Sequence, residues 1–202
     1  MTIKKLSNRL LVAGVDEVGR GCLCYDVVVA AVILDPKNPI KGLCDSKVLT
    51  AKRRNELAVL IKEKALSYAI VHIDSQIIDQ INILQASLLG MKRAVEELSI
   101  VPDQVLVDGN KTPEIALPVK AIVKGDSLIP AISAASILAK VDRDQAMLKL
   151  HNKYPQYAFD KHKGYPTKLH LQSIKRYGIL DFYRKSYKPV QRIIQETSNS
   201  QN

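Results

Sequence analysis

Asp16 and Glu17 stand side by side at the end of an apolar run, Leu10-Leu11-Val12-Ala13-Gly14-Val15, and Val18-Gly19-Arg20-Gly21 follows them. The run reads as a buried strand, so two adjacent carboxylates end a segment that is shielded from water. Each like-charge pair at ~4 Å costs about 1 kcal/mol in water and about 4 kcal/mol near a protein surface. A hard divalent cation with oxygen ligands would neutralise them. The neighbouring Gly-Arg-Gly offers backbone N–H groups and a guanidinium, both suited to phosphate. A cation site touching a phosphate site is the layout of phosphodiester chemistry.

The pattern predicts strands over 10–16 and 27–34, both rich in β-branched residues, and Asp35-Pro36 ends the second. After a loop to about 49, Thr50 is the expected N-cap of a helix over 51–66, with Leu57, Leu60, Ile61 and Leu66 as its apolar stripe. A third strand covers Tyr68–Ile73, and two helices follow, near 75–80 and over about 82–98. Short strands at 104–107 and Pro118–Val123 stop at Asp108-Gly109 and Lys124-Gly125-Asp126. A helix over about 130–152 carries Ser133-Ala134-Ala135-Ser136, small residues that let it lie close to a sheet. Further helices are expected near 167–177 and 189–196, and a disordered tail over 197–202. Short connections first and helical ones later indicate an α/β fold, a mixed sheet with helices on its faces. Residues 1–196 are read as one catalytic domain with a helical C-terminal part from about 153.

Asp16, Glu17, Asp108 and Asp126 thus all fall at strand ends, where residues distant in sequence can converge. Neighbours in a regular strand face opposite ways, so Asp16 and Glu17 share a site only if the chain bends there, which Gly19 and Gly21 permit. Four carboxylates could hold two divalent ions ~3.5–4 Å apart, as in-line displacement at phosphorus uses. Zinc fits poorly, since no Cys/His cluster accompanies the acids and Cys22, Cys24 and Cys44 lack zinc-site spacing. The competing reading makes Asp108 and Asp126 ordinary turn and capping residues. Thirty Lys+Arg against 20 Asp+Glu, a net charge of +10, favour a polyanionic partner. No apolar run approaches the ~18 residues of a membrane span. The odd cysteine count without a secretory signal suits reduced thiols in the cytoplasm.

Taken in order, Asp16 to Gly21, Asp45-Ser46-Lys47, Val107-Asp108-Gly109, Lys124 to Ser127, Ser133 to Lys140 with Arg143-Asp144, and His162 to Thr167 resemble the motifs of the bacterial ribonuclease HII family. The resemblance runs from about residue 10 to 192. It implies a ribonuclease H-like fold with a five-stranded mixed sheet. It also implies an endoribonuclease that hydrolyses RNA in RNA–DNA hybrids and cuts 5′ of ribonucleotides embedded in duplex DNA, leaving 3′-hydroxyl and 5′-phosphate ends. Asp16, Glu17, Asp108 and Asp126 would be the catalytic metal ligands for two Mn2+ or Mg2+ ions, with Asp16 touching both. Asp142 and Asp144 are rival ligands, less well placed because they lie inside a helix. Gly19, Arg20 and Gly21 match the element that reads the 2′-hydroxyl, Tyr165 the tyrosine on the adjoining deoxyribose, and Lys47 a phosphate contact. His162, Lys163 and His170 would be further phosphate contacts or plain surface. The implied partners are RNA–DNA hybrid and ribonucleotide-bearing DNA, with no membrane, acted on by a monomer.

One stretch departs from the family. After the sensing element its members usually continue Pro-Leu-(Ala/Val)-Gly and then Pro or Ala, where this chain has Cys22, Leu23, Cys24, Tyr25 and Asp26. The expectation is an altered turn behind Gly21, a negative charge near the phosphates, and a pair of thiols open to redox chemistry. Only 15 residues precede Asp16, so the additional N-terminal domain of ribonuclease HIII is not expected. A junction resolvase of the same fold, or a non-catalytic nucleic-acid-binding protein, would share the bulk features.

Overall fold

The computed structural model describes residues 10–199. In chain order the elements are β1 (Val12–Val18), β2 (Val27–Ile33), α1 (Ala51–Lys64), β3 (Ser67–Ile73), α2 (Ser75–Glu96), β4 (Gln104–Asp108), β5 (Val119–Ile122), α3 (Gly125–Leu128), α4 (Pro130–Lys153), α5 (Phe159–His162), α6 (Lys168–Tyr177) and α7 (Lys188–Asn199), with a 3-10 turn at Pro155–Tyr157. The sheet order is β3-β2-β1-β4-β5. Its first three strands are antiparallel neighbours, whereas β1–β4 and β4–β5 run parallel. This is the mixed five-stranded sheet expected.

Burial patterns follow from position. β2 is buried on both faces throughout, so it tolerates an unbroken apolar run, while edge strand β3 alternates buried and open residues. One face packs on α2 through Val27, Val29, Ala31, Ile33, Ala86 and Met91. The other packs on α1 and α4 through Val28, Ala30, Val32, Leu57, Ile61, Ala134 and Ile137. A third cluster builds the C-terminal part from Tyr157, Phe159, Ile174, Tyr183, Val190 and Ile193, and it closes over Leu23 and Cys24.

α4 lies directly on β1, because a Cβ on Gly14 would collide with the backbone of Ala131 and Ile132. The small-residue tract therefore packs as expected, and Ser136 also meets Ser46, Oγ to Oγ, at 3.0 Å. The two helices expected after β3 form one element broken at Asn82, whose left-handed φ of 66° interrupts it. There the Asn82 side chain accepts from the amides of Leu84 and Gln85, restarting the helix. Among the described residues no helix is long and apolar enough to cross a membrane.

Three expectations need correction. Leu66 lies beyond α1 and packs with the α2-side core, its amide donating to the Ile33 carbonyl. The helix stops at Lys64 because Ala65 turns extended. Thr197, Ser198 and Asn199 belong to α7, where the Thr197 and Ser198 hydroxyls donate to the carbonyls of Ile193 and Ile194. Residues 200–202 of the expected tail lie outside the described residues. Asp126 sits in α3, four residues past the end of β5, rather than at the strand end.

Candidate active site

β1 and β4 run parallel in register up to Val15 and Val107, which sets the next residues, Asp16 and Asp108, side by side. Asp108 then fixes the third acid. Its Oδ1 accepts from the amide of Gly125 at 2.7 Å and that of Asp126 at 3.4 Å, anchoring the start of α3 to the tip of β4. The Asp126 carbonyl is held in turn by the Ser133 hydroxyl at 2.5 Å. One carboxylate oxygen from each of Asp16, Asp108 and Asp126 lies within 4.8 Å of the other two.

Glu17 is placed differently. β1 stays in strand geometry through Val18, still paired with Val28, so the expected bend does not occur within the pair. Side chains keep alternating. Gly14 faces α4, and Asp16 hydrogen-bonds Ser136 on that helix. Ala13 and Val15 face the α2 layer, and so does Glu17. Glu17 lines a cleft of about 50 Å³ with Arg20, Leu84, Ser87, Met91 and Asp108. The four acids therefore form a trio on one face and a fourth over the edge, with Asp108 belonging to both groups.

Electrostatics match this layout. Burial, followed by the charges of Glu17 and Asp108, holds the Asp16 carboxyl well above the usual aspartate value. Glu17 is also raised, by burial first, with the Asp108 charge adding and Arg20 opposing. Its Oε1 meets Arg20 Nη1 at 3.1 Å. Its Oε2 is buried without a partner among the described residues, and so is the Ser87 hydroxyl in the same cleft. An all-oxygen donor set, Asp16 and Glu17 held above their ordinary values and an orphaned carboxylate oxygen together fit a hard divalent cation.

Of the residues expected to meet substrate, Lys47 and Arg20 contact these acids, whereas Gly21 and Tyr165 lie against each other. Gly21 is exposed, and a Cβ on it would stand 3.8 Å from the ring of Tyr165, itself 40% exposed. Gly19 has φ 96° and no room for a side chain, because the Arg143 guanidinium fills that space. Lys47 lies across the trio with its ammonium 3.4 Å from Asp126 Oδ2. Partial burial works against that charge, yet Asp45, Asp126 and Asp16 outweigh it and raise its pKa.

Other sequence candidates go elsewhere. Asp142 binds His72 at 2.8 Å and Asp144 binds Lys140 at 2.7 Å, so neither joins the trio. His162 and His170 are neither surface groups nor phosphate contacts. They stack at 3.9 Å, buried beneath Tyr165, and bond Tyr157 O and Tyr183 OH respectively. Burial lowers both, His170 to about 4, so they stay neutral packing groups. Lys163 contributes its carbonyl, which accepts from Arg143 Nη1 at 2.7 Å.

The divergent stretch 22–26 is firmly seated. The amides of Leu23 and Tyr25 donate to Gly164 O and Phe182 O, both at 2.8 Å. Cys22 and Cys24 are buried free thiols pushed up by that burial, Cys24 to about 12, which removes the thiolate that redox sensing would require. Tyr25, where the family has glycine, takes a left-handed φ of 67° at a cost of about 1–2 kcal/mol. Asp26 points away from the acids and binds His72 Nδ1 at 3.0 Å, and the His72 ring meets Tyr25 edge-on.

His72 between two carboxylates gives a first prediction. Hydrogen bonds that its ring N–H groups donate to Asp142 and Asp26 raise it from 6.5 to about 9 despite partial burial. Its stabilisation is fully present below 6.5 and is lost as pH rises through about 9. With the ring 35% exposed, screening limits the effect to about 1 kcal/mol. Urea midpoints across that window should fall more steeply for the parent than for His72→Gln; parallel slopes would refute it.

Sequence reasoning gave no role to Arg143 and missed Arg184 and Tyr187. Arg143 was visible only as part of a motif, and Arg184 and Tyr187 carried no signal, since a buried arginine reads like a surface one. Ser87 likewise resembled an ordinary helix residue.

With the geometry in view, the relatives can be compared. The sequence model of the family described as Ribonuclease HII matches residues 13–190. The chain is 55% identical over 190 residues to ribonuclease HII of Azoarcus sp. (strain BH72), covering 94% of this chain and 93% of that one. It is 58% identical over 186 residues to ribonuclease HII of Alteromonas mediterranea, covering 92% and 98%. Among solved structures, the ribonuclease H2 from Pyrococcus horikoshii OT3 superposes with a TM-score of 0.78 at 28% identity, over 93% of this chain and 98% of that one.

Proposed function

The chain belongs to the ribonuclease HII family and is a metal-dependent ribonuclease H acting on RNA–DNA substrates; from that premise we propose that it cuts 5′ of ribonucleotides embedded in duplex DNA, leaving 3′-hydroxyl and 5′-phosphate ends. The observation that carries this reading is the adjacency of two unlike groups. The carboxylate trio, with Asp16 and Asp126 buried and Asp108 half-buried, includes a residue only three positions before the Gly19–Gly21 loop, in which Gly19 is buried and the exposed Gly21 faces Tyr165.

In this reading Asp16, Asp108 and Asp126, with Glu17 reaching from the neighbouring cleft, hold two Mn2+ or Mg2+ ions. Divalent ions held by these carboxylates would supply Lewis acidity for water activation and for the charge on the leaving oxygen. The protein's own groups orient and select. Exposed backbone amides of the Gly19–Gly21 loop would meet the 2′-hydroxyl, which alone separates RNA from DNA at a given step. Tyr165 would pack on the next deoxyribose, and Lys47 would draw a phosphate toward the acids. Arg20 bonds Glu17 now and would be free to turn to phosphate once the Glu17 charge is matched elsewhere. We read residues 1–196 as a single catalytic domain working as a monomer in the cytoplasm, in ribonucleotide excision repair. The three free thiols suit that compartment.

The test compares duplexes carrying one ribonucleotide, four ribonucleotides or a full RNA strand, each in Mn2+ and Mg2+, with product ends mapped. Incision 5′ of the single ribonucleotide, lost in Asp108→Asn, is the expected result. Parent protein that leaves this duplex intact would refute the reading. Cutting of all-DNA branched duplexes without a 2′-hydroxyl would replace it with resolvase activity.

A further inference from the structure

Behind the Gly19–Gly21 loop lies a buried cation that the proposed chemistry does not use. Arg184 is 0% exposed, and among the described residues no carboxylate pairs with it. Burying such a charge carries a desolvation cost of several kcal/mol that its hydrogen bonds must offset, so those bonds are the feature to explain. They converge on one stretch of backbone. Nε donates to Tyr25 O at 3.0 Å, and Nη1 donates to Arg20 O at 3.0 Å and to Tyr187 OH at 3.0 Å. The Tyr187 hydroxyl donates its own proton to the same Arg20 carbonyl at 2.6 Å. The Arg184 amide binds Leu23 O at 2.9 Å, so the C-terminal segment is tied to the loop and to the stretch that follows it.

The Arg20 carbonyl thus receives two donors, the buried Arg184 guanidinium and the hydroxyl of the half-buried Tyr187. In a trans peptide the C=O of one residue and the N–H of the next point in opposite directions. Holding Arg20 C=O inward therefore turns the Gly21 N–H outward, toward the solvent-facing side next to Tyr165. Glycine permits the alternative flip readily, so without these two donors the amide would lose its fixed direction.

We propose that Arg184 and Tyr187 are positioning residues for ribonucleotide recognition, which orient the Gly21 amide toward the 2′-hydroxyl by clamping the Arg20 carbonyl. This rests on the reading of Gly19–Gly21 as the sensing element. It makes the C-terminal segment part of the specificity apparatus, although neither side chain reaches the substrate.

The test uses the full chain with Asp108→Asn to block cutting, and reads the ratio of affinities for a one-ribonucleotide duplex over the all-DNA duplex. Tyr187→Phe removes a single hydroxyl and keeps the ring; Arg184→Lys keeps the charge and loses the fork. Each should lower the ratio by up to about tenfold, the worth of one hydrogen bond, with all-DNA affinity unchanged. Mn2+ binding by calorimetry, measured with the four acids intact, should also stay the same. Equal loss of affinity for both duplexes, or an unchanged ratio in Tyr187→Phe, would overturn the proposal while leaving the sensing element in place. A parent ratio near one would remove the sensing element itself, and the clamp with it.

Discussion

Asp16→Asn should silence cleavage and at the same time make the metal-free protein more stable. Asp16 is only 6% exposed, and its carboxylate lies within 4.8 Å of those of Asp108 and Asp126. A like-charge pair at that range near a protein surface costs about 3–4 kcal/mol before screening and protonation relieve it. Burial and the neighbouring charges accordingly hold Asp16 well above its ordinary value of 3.8. Asparagine keeps an oxygen to accept from the Glu17 amide, the bond that Asp16 makes at 2.7 Å, and drops the charge. Activity should fall at least about a thousandfold, or about 4 kcal/mol of barrier. Melting without metal should rise by about 2–4 °C, equivalent to about 1 kcal/mol in a chain of this size. The sign with pH follows from the raised value: the folded parent keeps its proton longer than the unfolded chain, so the charge penalty appears only as pH climbs past 3.8 toward the raised value. The gain of the variant should therefore vanish in acid. Mn2+ should restore the parent's stability by mass action and leave the variant nearly unmoved. Retained activity, or a variant that melts lower without metal at neutral pH, would contradict a metal-neutralised cluster.

Gly14→Ala is the larger effect on folding. The added methyl would occupy the space of the Ala131 and Ile132 main chain, at the start of the 24-residue α4. Backbone in a helix pinned by this many contacts cannot step aside as a side chain can. The loss should reach about 3 kcal/mol, the upper end of ordinary overpacking costs. Function should fall with it, because α4 carries Ser133 and Ser136, which hold Asp126 and Asp16. Gly90→Ala is the informative contrast. Its methyl would meet side chains of Val29 and Ile73, which can repack, so about 1 kcal/mol is expected there. Urea unfolding of the two variants decides it: equal costs would mean that α4 is free to shift over β1.

Much of this architecture could be read from the chain because it follows from local patterns. β2 is an unbroken apolar run because both its faces are covered, and α1 begins where Thr50 caps it, accepting from the Arg53 amide at 3.2 Å. Strand-end acids pointed to a cluster because parallel neighbours in register bring such residues together, as β1 and β4 do. What escaped was any feature in which a residue's environment comes from elsewhere in the chain. Glu17 was expected to join Asp16 through a bend, yet β1 stays paired through Val18, so one step along the strand carries it to the opposite face. Asp26 looked like a charge beside phosphates, yet its partner is His72, 46 residues away. His162 and His170 looked like surface cations and are a neutral stacked pair.

The sequence by itself determined the α/β order, the metal-seeking acids and the family, since periodicity, charge cost and motif spacing are all properties of neighbouring residues. Only the tertiary structure decided that three of the four acids share one face, and that Arg184 and Tyr187 grip the Arg20 carbonyl from 164 and 167 residues away. Burial and hydrogen-bond partnership are set by what packs alongside, and a linear chain carries no record of that until it has folded.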